Sequence, residues 1–184
     1  MIYLTSDLHL GHSREFVYKP RGFSSIEEHD AAIVERWNAT IGEDDDVYVL
    51  GDLMLNDNDH GMELLAQLNG KIHVVRGNHD TDTRVELYKT LSNVVEVCEG
   101  KFLKYQKYHF YLTHFPCLSA NLEAESLKQC TLSLSGHTHS KQKFFEDRPY
   151  VYNCACDAHG CTPVCINQII EDMKEKVKEC LLQL

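Results

Sequence analysis

The chain has 184 residues, 43% of them apolar, which is enough for one domain with a full core and too few for two comfortable ones. No basic stretch leads into an apolar one at the N-terminus and no apolar run could span a bilayer, so a non-exported, cytoplasmic protein without membrane contact is expected. A formal net charge of −10 argues against general coating of nucleic acid, and eight cysteines in a reducing compartment are expected to stay thiols.

Residues 1–6 read as a buried strand that opens into Asp7-Leu8-His9 and then Gly11-His12. A carboxylate and an imidazole two residues apart at a strand mouth can reach one ion from the same side. Residues 13–23 have no period and carry Arg14, Lys19, Pro20, Arg21 and Gly22, so a loop over that same end is expected. His12 and Arg21 are candidates there for contact with a phosphate or another substrate group. Ser24 or Ser25, with Glu27 or Glu28 three residues on, predicts a capped helix whose Ile26, Ile33, Val34, Trp37 and Ile41 form one apolar face.

The acidic turn 43–46 leads to a second strand at 47–50, which ends in Gly51-Asp52. Leu64, Leu65 and Leu68 mark a second helix stopped at Asn69-Gly70, and residues 71–76 form a third strand that runs into Gly77-Asn78-His79-Asp80. Gly77 permits a tight turn, so three polar side chains emerge from a loop anchored on one side. Strand and helix alternating with short connections imply parallel pairing through right-handed crossovers, which brings Asp7, His9, Asp52, Asn78 and His79 to one rim.

A helix over 82–91 is followed by strands at 94–98, 101–105 and 108–113 without intervening helices, read as a meander or hairpin whose last strand ends at His114. Residues 118–129 are expected to be helical, and a strand at 131–135 runs into Gly136-His137-Thr138-His139. Further strands are expected near 143–146, 150–156 and 164–166. A final helix, capped by Asn167, carries Ile169, Ile170, Met173, Val177, Cys180, Leu181 and Leu184 on one face. Cys154, Cys156, Cys161 and Cys165 fall within twelve residues, but their spacing lacks the paired C-x2-C of structural zinc sites, so they read as small buried thiols. Asp157 and His159 either enter the rim or merely cap a strand. His29, His60, His73 and His109 have no convergent neighbours in the sequence and read as structural or surface residues, and Trp37 reads as core.

Five strand ends thus present Asp-x-His, Gly-Asp, Gly-Asn-His-Asp, a lone His and Gly-His-Thr-His. The ordered set, from Asp7 to His139 over about seven tenths of the chain, resembles the calcineurin-like metallophosphoesterases. The short chain and the Gly-His pair after Asp-x-His resemble the small bacterial or phage phosphoesterases within that superfamily. The resemblance implies one domain over residues 1–184 with a four-layer αββα sandwich of two mixed β-sheets flanked by helices. It also implies two divalent metal ions, one held by Asp7, His9 and His139, the other by Asn78, His114 and His137, with Asp52 bridging both. Carboxylate and amide oxygens mixed with imidazoles suit Mn, Fe or Zn and are poor for Ca or Mg, and two close cations need an anionic bridge such as Asp52.

The implied reaction is in-line attack of a metal-bridging hydroxide on a small or nucleotide-like phosphate ester. His79 would donate a proton or hydrogen bond to the leaving oxygen, and Asp80, next in sequence, would set its tautomer. The alternatives are a nuclease, which the acidic balance disfavours, and a non-catalytic scaffold that binds proteins. Every ligand position and His79 are intact, which counts against the scaffold.

Overall fold

The computed structural model describes residues 1–119 and 126–182. In chain order its elements are β1 (Ile2–Thr5), α1 (Glu15–Tyr18), α2 (Ile26–Thr40), β2 (Asp46–Val49), α3 (Asn58–Leu65), β3 (Lys71–Val75), α4 (Asp82–Tyr88) and β4 (Val94–Cys98). They continue with β5 (Lys101–Tyr105), β6 (Tyr108–Leu112), β7 (Thr131–Ser135), β8 (Val151–Asn153), β9 (Val164–Cys165) and α5 (Ile166–Leu182). One sheet has the order β4-β3-β2-β1-β9, parallel except for β9, and the other has the order β5-β6-β7-β8, parallel except for the β5–β6 hairpin. The molecule is therefore an α/β fold of two mixed sheets flanked by helices.

The strand residues divide between two cores, as the alternation of side chains along a strand requires. In β2, Val47 and Val49 pack toward Ile33, Trp37 and Ile41 of the α2 side and toward Leu64, Leu65 and Tyr88. Tyr48, with Leu50 just past the strand, packs toward Phe110, Leu132, Leu134 and Tyr152 of the second sheet and toward Ile169, Ile170 and Met173 of α5. Capping explains where the helices start. Ser25 Oγ accepts from Glu28 N at 3.2 Å while the Glu28 carboxylate accepts from Ser24 N at 2.7 Å; Asp57 and Thr81 start α3 and α4 by accepting from His60 N and Arg84 N.

Several sequence expectations are corrected. The 13–23 segment contains the one-turn helix α1. β4 is no part of a meander: it pairs in parallel with β3, through α4, and the chain changes sheets at Glu99-Gly100 before the β5–β6 hairpin. Gly and polar residues between two short apolar runs signal a turn equally well whether the runs pair or part. Around 143–146 there is a single bridge, Phe144 to Tyr152, and then the 3-10 turn Phe145–Asp147, instead of a strand. α5 starts at Ile166, so Asn167 lies inside its first turn. Of the helix expected over 118–129, the described residues 118–119 and 126–129 are not helical, and 120–125 lie outside the described residues, as does Leu184. All eight cysteines are free thiols, and Cys154, Cys156 and Cys161 are buried. Among the described residues no helix is long and apolar enough to cross a membrane.

Candidate metal centre

The parallel strands of both sheets deliver their C-terminal ends to one edge. Asp7 N donates to Gly51 O and His9 N to Asp52 O, each at 3.0 Å, which locks the β1 and β2 exits together. The two sheets are joined at this edge by a bridge between Ser6 and Ala155 and by the Cys156 N to Ser6 O bond of 3.0 Å. Five side chains expected at the rim stand on left-handed backbone: Asp7 (φ 57°), His9 (52°), Asp52 (57°), His137 (70°) and His139 (49°). Such conformations cost of order 1–3 kcal/mol each outside glycine and persist only where the surroundings over-determine them. Gly77 and Gly136 supply the room: a Cβ on Gly77 would run into the Asp52 carboxylate, and one on Gly136 into Ser6 Oγ and the Asp7 carboxylate.

Two clusters of ligating atoms result. In the first, His9 Nε2 lies 3.1 Å from His139 Nε2, and Asp7 Oδ1 lies 3.9 Å from the former and 3.6 Å from the latter. In the second, His114 Nε2 and His137 Nδ1 lie 2.8 and 2.9 Å from Asn78 Oδ1 and 3.2 Å from each other. Asp52 stands between, its Oδ2 3.8 Å from His9 Nε2 and 3.5 Å from His114 Nε2. The sets Asp7/His9/His139 and Asp7/Asp52/His114 each converge tightly enough to hold an ion.

The chemistry of the donors fits divalent cations. His114 Nδ1 is 2.8 Å from the Leu50 carbonyl, which can only accept, so the neutral ring keeps its lone pair on Nε2, facing another acceptor, Asn78 Oδ1. Asp7 Oδ1 is buried with no hydrogen-bond partner, and lone pairs gathered without protons between them call for positive charge. Burial, then His139 and Arg21, hold His9 well below its ordinary pKa, and burial and His114 lower His137, so these rings stay neutral and able to ligate. Burial raises Asp52, opposed by His114 and the His79 amide.

His79 is exposed at the mouth, its ring edge-on to that of His9 with centroids 5.6 Å apart, while its backbone N–H donates to Asp52 Oδ1 at 2.9 Å. The expected pairing of Asp80 with His79 is not formed. Asp80 turns inward: its Oδ2 accepts from Asp52 N and Gly77 N, each at 2.8 Å, and its Oδ1 from Leu53 N at 3.3 Å and Tyr88 Oη at 2.8 Å. It thus ties the β2 exit to the β3 exit, a positioning role that adjacency in sequence hides.

His12 is buried beside His9, ring centroids 5.7 Å apart, with Nδ1 on the Asn56 amide at 3.1 Å. Arg21 is corrected. It does not present itself to substrate: the side chain is 1% exposed and its donors go to Asp157, Leu8 O, His29 and Asp7 O. Asp157 does enter the rim, 3.2 Å from His139 Nδ1, whereas His159 Nε2 bonds Asn153 O at 2.8 Å, away from it. His29 is buried in the Arg21 chain, His73 sits between Asp46 and Glu96, and His109 is exposed. The Asp80–Tyr88 and Arg21–Asp157 contacts, missing from the sequence reading, have no local signal.

A family model described as the calcineurin-like phosphoesterase superfamily domain matches residues 1–154. The uncharacterized protein MJ1445 of Methanocaldococcus jannaschii is 30% identical over 178 residues, covering 92% of this chain and 89% of that one. The gene 66 protein of Mycobacterium phage D29 is 26% identical over 160 residues, 76% of this chain and 79% of that one. Among solved structures, the protein of unknown function AQ665 from Aquifex aeolicus superposes with a TM-score of 0.70 at 22% identity, over 93% of this chain and 98% of that one, which shows a shared fold.

Proposed function

The chain belongs to the calcineurin-like phosphoesterase superfamily, and from that premise we propose that it is a dinuclear metal-dependent phosphoesterase acting on a small or nucleotide-like phosphate ester. The observation that carries the reading is Asp52 Oδ2, one carboxylate oxygen within 3.8 Å of His9 Nε2 and 3.5 Å of His114 Nε2. Asp7, His9 and His139 would hold one ion and Asn78, His114 and His137 the other, with Asp52 shared. The mixed imidazole and oxygen donors favour Mn, Fe or Zn. Divalent ions held there supply Lewis acidity, bringing the pKa of a water toward neutrality and offsetting charge on phosphoryl oxygens.

The chain's own residues do the rest. Asp80 holds the Asp52 and Gly77 amides, so the central carboxylate keeps its aim. His79, exposed and edge-on to His9, would give a proton to the leaving oxygen, a role its exposure at the mouth supports. Phe16, 71% exposed and edge-on to His12, and Phe115, 52% exposed and packed on His137, border the centre and support a substrate with a planar or apolar group next to its phosphate. Eight free thiols support a reducing, cytoplasmic location.

The test is metal-stripped protein reloaded with Mn, Fe or Zn and assayed on matched chromogenic phosphomonoesters and phosphodiesters. At least one ion is expected to restore hydrolysis of one ester class. If none does, the enzyme reading fails.

A further inference from the structure

We propose that Asp157 is a positioning residue for His139, and that the Arg21–Asp157 pair sets the affinity of the Asp7/His9/His139 half for its cation. The proposal rests on the dinuclear reading above. Asp157 lies beyond the segment 1–154 that the family model matches, in the 3-10 turn Cys156–Ala158 that follows β8. Its Oδ2 lies 3.2 Å from His139 Nδ1. A carboxylate can only accept, so this contact favours the neutral His139 tautomer with its proton on Nδ1 and its lone pair on Nε2, the atom that faces His9 Nε2 at 3.1 Å and Asp7 Oδ1 at 3.6 Å.

Arg21 holds this carboxylate in place with a two-point grip, Nε to Oδ1 at 3.1 Å and Nη2 to Oδ2 at 2.8 Å, and the two side chains are 1% and 5% exposed. The same guanidinium reaches the β1 exit, donating from Nη2 to Asp7 O at 2.7 Å and from Nη1 to Leu8 O at 3.2 Å. His139 comes from the loop after β7 of the second sheet and Asp7 from the first. One buried cation therefore registers a ligand from each sheet, through the Asp7 backbone on one side and the Asp157–His139 contact on the other. A pair that merely joined two elements would need no third partner; here the anion carries one, and that partner is a ring nitrogen opposite the ligating one.

The test uses the full chain, freed of metal with a chelator, titrated calorimetrically with Mn²⁺ and with Zn²⁺, beside its Asp157→Asn variant and thermal melts of both metal-free forms. Wild type is expected to bind two ions. Asp157→Asn is expected to weaken one of them by roughly 10–100-fold and leave the other unchanged, the effect of removing a hydrogen-bond partner of a ligating histidine. Nitrogen-15 NMR of the histidine rings in metal-free wild type, with the His139 signals assigned by their loss in His139→Gln, should find His139 protonated at Nδ1. That measurement decides the matter even if Asp157→Asn does not fold. A neutral His139 ring, observed at a pH above its titration, that carries its proton on Nε2, or a folded Asp157→Asn with both constants at wild-type values, overturns the proposal. Wild type that binds neither ion overturns the dinuclear reading itself, and this proposal with it.

Discussion

The half of the centre made by Asp7, His9 and His139 is backed by a buried ion pair and exposes one of its three ligands, whereas the half made by Asn78, His114 and His137 leans on a main-chain carbonyl and on Asp7 and exposes two. In the first, the side chains of Arg21 and Asp157 are buried, as are Asp7 and His9, and His139 is the exposed ligand. In the second, His114 is held by the Leu50 carbonyl, the His137 amide is held by Asp7 Oδ2 at 2.8 Å, and the side chains of Asn78 and His137 reach solvent. On the proposed reading, two halves with the same chemical task thus depend on different things: the first on a long-range ion pair, the second on the ends of β3, β6 and β7 and on the Leu50 carbonyl just past β2. Substitutions should separate them.

Asp52→Asn should erase the comparison, because the residue serves both halves. The amide keeps the shape and loses the charge that lets two cations sit close together. Metal analysis should find both ions lost at micromolar concentration, and hydrolysis should fall to background. A variant that keeps two ions would remove Asp52 from the bridge. On the proposed reading, His79→Gln removes only the proton donor and should leave both halves loaded while lowering turnover by roughly 10²–10⁴ on an ester with a poor leaving group. Full activity there would strike His79 from the reaction.

What the sequence discloses depends on whether a residue is placed by its own neighbours or by a distant partner. Asp7, His9, Asp52, Asn78 and His137 are legible because each sits next to the strand or glycine that places it. The parallel order β1, β2, β3 is legible for the same reason: helices α2 and α3 are contiguous with the strands they connect. Asp157 and Arg21 are 136 residues apart, and nothing local says that a loop arginine will be buried against a carboxylate from the other end of the chain. Asp80 misleads in the opposite way. Its neighbour His79 suggests a partner, but the turn sends one side chain outward and the other back onto three amides.

Asp80→Asn probes the backbone-held half. Its carboxylate answers three buried amides and the Tyr88 hydroxyl, and an Asn must turn an NH₂ toward some of those donors. Unfolding in urea should reveal a loss on the order of 3 kcal/mol, the cost of leaving buried donors unanswered. A loss below about 1 kcal/mol would mean that the β2 and β3 exits are held together by something else.

The smallest effect belongs to the charged half and is read as a pH dependence. Arg21 Nη1 donates to His29 Nε2 at 2.9 Å and His29 Nδ1 donates to Asp30 Oδ1 at 2.8 Å, an arrangement that needs His29 neutral. Burial holds its pKa below the ordinary 6.5, helped by Arg21 and opposed by Asp30. On acidification the unfolded chain therefore takes up this proton before the folded one does, and unfolding becomes linked to proton uptake. The contribution is complete above about pH 6.5 and is lost as pH falls from there toward the lowered folded value. His9, His12, His137 and His159, each lowered chiefly by burial, add the same sign. His139, pushed down by burial but pulled above its ordinary value by Asp157 and Asp7, acts in the opposite sense and offsets part of it. The unfolding free energy of the metal-free chain should accordingly be lower at pH 5.5 than at pH 7.5. In His29→Gln, whose amide can accept from Arg21 and donate to Asp30 without titrating, the difference should shrink. Equal differences in the two proteins would locate the acid sensitivity outside the Arg21 chain and leave the two halves alike in their response to pH.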